Sequence, residues 1–244
     1  MVWIELLKET FFRKRFIFIG HSALLFFYMA LFFLPFPLDF PWGGMILVAS
    51  GILLPLLLTS GIFGNDIATG RIDFLVTKPI SLSKIFLCRI SGVILQGTLH
   101  IMFAGFLIWM MHSFFNDKGT LFNFKIFLFV SWLLFITFAT LSISLSVLVE
   151  REYNTAILIL GSGFLLFLVL GLKNFFPEYI LTKVLCTTVK YVFPPVELLS
   201  KMATGHNGML HLMGYIIHAA GLAILYSTFG ILMLRTKEFK RALD

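Results

Sequence analysis

Four histidines lie in or near apolar runs, and histidine is the residue with which a buried helix most readily holds a metal or moves a proton. His211 and His218 stand seven apart, on one face of a helix, and His100 and His112 fall within or beside another run. Neither pair has the company that chemistry needs. No H-E-x-x-H or Cys/His ligand spacing occurs, and no Asp or Glu accompanies the histidines on those runs. They read as interface or helix-contact histidines, with a polytopic metal transporter or membrane enzyme as the rival reading. Cys88 and Cys186 are too few and too differently placed for a disulfide framework or a metal knuckle. No G-x-x-x-x-G-K-[ST] is present, so the chain has no phosphate loop of that kind for a nucleotide. A proton- or sodium-coupled carrier would need carboxylates inside its spans. Asp39, Asp117, Glu150 and Glu152 all fall in connections.

The polar passage GNDIATGRIDFLVTKPISLSKIFLCR, residues 64–89, is different. Gly70 suits a left-handed helix stop, and Pro79 cannot continue a helix because it lacks the N–H and clashes with the preceding turn. Between them RIDFLVT is one or two turns long, and Ser81 or Ser83 can cap the helix that follows. Ile72, Phe74 and Leu75 beside Asp66, Asp73 and Arg71 form an apolar knob in a charged setting, the composition of a contact offered to a protein groove. On this reading Asp66 and Asp73 face water and basic groups of a partner. The simpler alternative is a solvated loop with helix caps.

The elements that position this passage follow from composition. Hydrophobic residues make up 59% of the chain and charged residues 13%, well away from the values of soluble domains. With a mean hydropathy of +0.97, the sequence predicts an all-α integral membrane protein, since period-2 alternation is absent and lipid tolerates only internally paired backbones. Six spans are predicted, at 16–36, 44–63, 86–111, 126–149, 155–175 and 209–234, each about the length a bilayer requires. No small-residue cleavage site follows the first, which reads as an anchor.

With the N-terminus inside, thirteen Lys and Arg collect on the inner side and six on the outer. Both termini are therefore expected in the cytoplasm of a multi-pass plasma (inner) membrane protein, and residues 64–85 become a cytoplasmic segment. The net charge of +7 reports topology and anionic headgroups, not nucleic acid. At the start, Trp3, Ile4, Leu7 and Phe11 share one helical face and Glu5, Lys8 and Glu9 the other, predicting a helix lying in the interface. The external loop 176–208 carries two helix-like pieces. Ile180, Val184, Val189 and Val192 space the first, while Pro195, Glu197, Lys201 and Gly205 mark the start, charge pairing and end of the second. A short helical hairpin is expected there, partly dipping into the membrane. Ser142, Ser144 and Ser146, with Gly161, Ser162 and Gly163, are read as small residues for close helix packing, with substrate lining as the other possibility.

Asp66, Gly70, Asp73, Leu75, Pro79, Ile80, Ser81 and Arg89 resemble the pattern acidic-x-x-x-Gly-x-Leu-Glu/Asp-x-Leu-x-x-x-Pro-Ile/Val-Ser with a basic residue ten positions after the proline. That pattern belongs to membrane subunits of type 2 ATP-binding cassette (ABC) transporters, the exporter-like permeases. Asp66 stands for the usual Glu, Gly70-Arg71 for Gly-Thr and Arg89 for Lys. The six-span layout with an outer hairpin extends the similarity. The resemblance implies a non-catalytic permease subunit, a homodimer in the lipid bilayer, moving a substrate outward. A separate ATPase subunit would hold ATP and Mg, with no cofactor on this chain. Asp66, Gly70, Arg71, Asp73, Phe74, Leu75 and Pro79 would then be the coupling element. A related possibility is an ABC-driven complex that transmits force to a maturation partner without exporting a small molecule.

Overall fold

Long runs of Leu, Ile and Phe leave the backbone no water to pair with, so each run closes its own hydrogen bonds as a helix. The computed structural model describes residues 4–5, 8–9, 15–32, 40–59, 61–76, 80–114, 121–148, 161, 179–192 and 209–241. For some of these, among them Asp73, Phe74, His112 and His211, it describes the backbone alone. The described elements are all helices: α1 (Arg15–Phe32), α2 (Phe40–Thr59), α3 (Ile62–Ala68), α4 (Arg71–Val76), α5 (Leu82–Phe114), α6 (Leu121–Leu145), α7 (Ile180–Val192) and α8 (Met209–Arg241). Ile4, Glu5, Lys8 and Glu9 are helical as well.

Among the described residues four segments are long and apolar enough to cross a membrane: Ile46–Ile67, Leu82–Met111, Phe124–Leu145 and Met213–Thr236. That composition fits a multi-pass membrane protein. The first predicted span is helical as α1. The fifth, 155–175, lies outside the described residues apart from Gly161, as does the second helical piece predicted within 176–208, at 195–205.

Helix α6 is the hub and packs against α2, α5 and α8. Its approach to α2 is close enough that a Cβ on Gly51 would stand 2.4 Å from the Ser131 carbonyl oxygen. Hydroxyls join the same faces. Ser131 donates to the Leu47 carbonyl, Thr59 and Ser142 pair, and Ser144 donates to the Tyr226 carbonyl of α8 at 2.6 Å. The serines of α6 thus act in helix packing, as small polar residues do where apolar surface alone gives no drive to associate. Leu54, Leu58, Phe63, Phe86, Phe135 and Ile143 form the heart of the main core, which joins α2, α3, α5 and α6. Leu25 of α1 enters a second cluster with Leu47, Ala104 and Ile108.

The helix ends differ from the predicted span ends, and two of the differences lie at or next to residues 64–89. The second span was expected to run to residue 63; the apolar segment Ile46–Ile67 passes that residue, while helix α2 itself stops at Thr59. Gly61, at φ +66°, then opens α3. Apolar residues resume after this break, with Ile62, Phe63 and Ile67 buried, so the chain stays in the protein interior past the point where polarity announces a loop. The third long helix begins at Leu82, not 86, because the Ser81 carbonyl accepts the first helical bonds from the Lys84 and Ile85 N–H groups at 2.9 and 3.1 Å. Ser83 instead accepts a hydrogen bond from Arg235 Nη2 at 3.0 Å, tying the end of α8 to the start of α5.

Helix α7 meets α8 midway along its length. The Tyr226 hydroxyl donates to the Val192 carbonyl, satisfying one of the carbonyls a helix C-terminus leaves open. The Tyr191 ring lies edge-on to His218 at 6.0 Å.

Candidate functional site

The site is the double break between α2 and α5 and the charges that close it. Asn65 ends α3 from within, its carbonyl accepting the Thr69 N–H at 3.0 Å and the Thr69 hydroxyl at 2.7 Å. Gly70 follows at φ +68°, a conformation that costs a side-chain-bearing residue its Cβ clearance. The chain turns there and α4 starts at once with Arg71. Pro79 lies outside the described residues.

Asp66 does not face water. Its relative exposure is 1% and that of Arg89 is 0%, and Arg89 Nη2 donates to Asp66 Oδ2 at 2.9 Å. This corrects the expectation of an acidic group held out to a partner. A desolvated carboxylate requires a cation, and Arg89, two turns into α5, supplies it. Leu75 is likewise not an exposed knob: at 5% exposure it belongs to the main core beside Ile67, Leu82 and Phe86, with Ile72 packed partly against them. The apolar face of α4 points into the protein because it has a neighbouring core to join. The side chains of Asp73 and Phe74 lie outside the described set.

Glu9 completes the arrangement. Arg71 holds its carboxylate with both terminal nitrogens, Nη1 to Oε1 at 2.6 Å and Nη2 to Oε2 at 2.7 Å. The Arg89 Nη2 lies 3.5 Å from the same Oε2. Two carboxylates and two guanidiniums thus join the N-terminal segment, α3, α4 and α5. Nothing in local pattern marks this role for Glu9, which reads as one of several charges on a polar helix face. Charge balance was the available signal: a buried acid needs a base within reach, and Arg89 is the basic residue that the next helix places there.

The Arg71–Glu9 contact is fork-to-fork and Arg89 joins both carboxylates through Nη2, a network of matched charge suited to holding four segments in one geometry. Arg71 and Thr69 remain exposed at its outer side.

The histidines behave differently. His100 approaches His21, a residue that pattern reading passed over, with ring centroids 5.8 Å apart. His100 Nδ1 bonds the Gln96 carbonyl at 2.7 Å, and His21 Nε2 pairs with Ser50 Oγ at 3.1 Å. These contacts join α1, α2 and α5. Among the described residues no group of three or more His, Cys, Asp or Glu is arranged to hold a metal ion. Cys88 and Cys186 are free thiols.

No protein-family model matches this chain, and no curated protein matches it either.

Proposed function

We propose that the chain is the membrane subunit of an ATP-driven transporter and that the α3–α4 elbow is where a separate ATPase subunit pushes on it. The observation that carries this reading is the elbow itself. Two helices of seven and six residues, separated by a left-handed glycine, are joined through Asp66 and Arg89 to a 33-residue helix. A force applied at Thr69, Gly70 and Arg71 reaches α5 through that buried pair.

The resemblance of residues 64–89 to exporter-like permeases adds to the reading, as does the lack of a phosphate loop in the sequence. In this proposal Asp66 transmits instead of contacting the ATPase, and Arg71 and Thr69 form the contact. Six spans, cytoplasmic termini, a homodimer and outward movement of an apolar or amphiphilic substrate belong to the same proposal.

The test is site-specific cross-linking. A cysteine at Thr69, coupled to a short bifunctional reagent in native membranes, should capture a protein that carries a phosphate loop, and one at Lys183 should not. Purified chain alone should not hydrolyse ATP. Failure of Thr69 to capture any ATPase, or turnover by the isolated chain, would overturn the proposal.

A further inference from the structure

Away from the elbow, the surface of the packed α5–α6 pair holds two adjoining hollows of about 300 and 330 Å³. Met102, Lys125 and Leu128 line both, so they form one groove along the helix pair. Its outer part is walled by Phe106, Trp109 and Phe124, and its inner part by Phe129 and Trp132.

The groove has a charged mouth and an apolar depth. Trp109 and Phe124 lie at the ends of the apolar segments Leu82–Met111 and Phe124–Leu145, the level at which aromatic rings and lysines meet lipid headgroups. Lys125 is exposed there. At the inner end the Trp132 indole N–H is already used, donating to Thr98 Oγ1 at 3.0 Å, so the depth asks nothing polar of an occupant. From Trp109 to Thr98 is eleven helical residues, about 16 Å of rise, close to half of the roughly 30 Å hydrocarbon core of a bilayer. One acyl chain of one leaflet occupies that depth.

We propose that this groove binds one anionic phospholipid, its headgroup phosphate on the Lys125 ammonium and one acyl chain along Met102 between Trp109 and Trp132. The charge of Lys125 selects the headgroup, and the aromatic walls supply contact area at little entropic cost. This site is independent of the ATPase reading and stands or falls without it.

The experiment is native mass spectrometry of the full chain released from nanodiscs holding equal phosphatidylglycerol and phosphatidylcholine with matched acyl chains. The wild type should retain phosphatidylglycerol about five-fold over phosphatidylcholine, the effect of one basic residue near an anionic headgroup. Lys125→Arg should keep that preference and Lys125→Glu should abolish it. Met102→Trp, which fills the groove, should reduce retention of both lipids. Equal retention of the two lipids by the wild type overturns the proposal. So does a Met102→Trp variant that binds like wild type, because charge at the surface would then suffice. A second copy of the chain as occupant, seen as efficient Met102→Cys cross-linking between copies with no retained lipid, also overturns it. Should a groove variant fail to fold, Trp3→Phe/Trp42→Phe leaves only Trp109 and Trp132 to report. Their fluorescence should be quenched more by phosphatidylglycerol with brominated acyl chains than by the phosphatidylcholine equivalent, and equal quenching overturns the site.

Discussion

The Arg89 guanidinium lies 2.9 Å from the Asp66 carboxylate, with both side chains shut away from the surface, so that α3 is closed against α5 by a buried ion pair. Such a pair adds little net stability over a well-packed apolar pair, whereas removing one member strands the other charge at a cost of about 3–5 kcal/mol. Asp66→Leu and Arg89→Met should each lower the thermal unfolding temperature of the solubilised protein, and Asp66→Lys should be worse than either. The double variant Asp66→Leu/Arg89→Met should recover much of the loss. Additive losses in this cycle would show that the pair does not couple.

Glu9 is held differently. Its contact with Arg71 is partly solvated, the two side chains being 28% and 44% exposed, so Glu9→Gln should cost no more than about 1 kcal/mol. The effect should be local: faster proteolysis of the N-terminal segment with the rest of the fold unchanged. Raising salt should imitate the substitution in the wild type, since screening weakens exposed pairs far more than buried ones. Proteolysis that ignores both salt and Glu9→Gln would show that the Glu9–Arg71 contact does not hold the N-terminal segment.

Two glycines should fail for two reasons. Gly70→Val places a β-branched residue at φ +68° and should cost about 1–2 kcal/mol through backbone strain, with Gly70→Asn much milder. Gly51→Ala meets the Ser131 carbonyl oxygen at 2.4 Å and should cost about 1–3 kcal/mol through overpacking, with no relief from Asn. Unfolding midpoints for the four variants (Ala and Asn at position 51, Val and Asn at position 70) distinguish strain from crowding.

Tyr226→Phe removes only the hydroxyl that caps the end of α7 at Val192. The expected loss is about 1 kcal/mol. Hydrogen exchange should quicken in α7 and stay unchanged in α5. An equal change in both would mean that the bond does not anchor α7.

The charge asymmetry of the connections predicts sidedness. A cysteine at Thr69 and a reporter after Asp244 should be reached from the same side of the membrane, and Lys183 from the other. Labelling of Thr69 and Lys183 from one side would reverse the orientation on which the ATPase contact depends.

Helical structure and apolar spans were determined by the sequence alone, because hydrocarbon-length runs of Leu, Ile and Phe have few other ways to satisfy their backbone. The left-handed break at Gly70 was legible for a related reason: a glycine between two short helical runs is a local steric signal. What lay beyond the sequence was which polar residues turn inward. Asp66 and Arg89 are 23 residues apart, and nothing in their types separates a charge offered to a partner from one that has found its counter-ion inside. Leu75 raised the same ambiguity, since an apolar residue in a polar loop fits a docking knob as well as a core. Only the tertiary packing of α3 and α4 against α5 decided both, because burial depends on what stands opposite. Glu9 and His21 were decided in the same way: each matters through a neighbour that local pattern does not reveal.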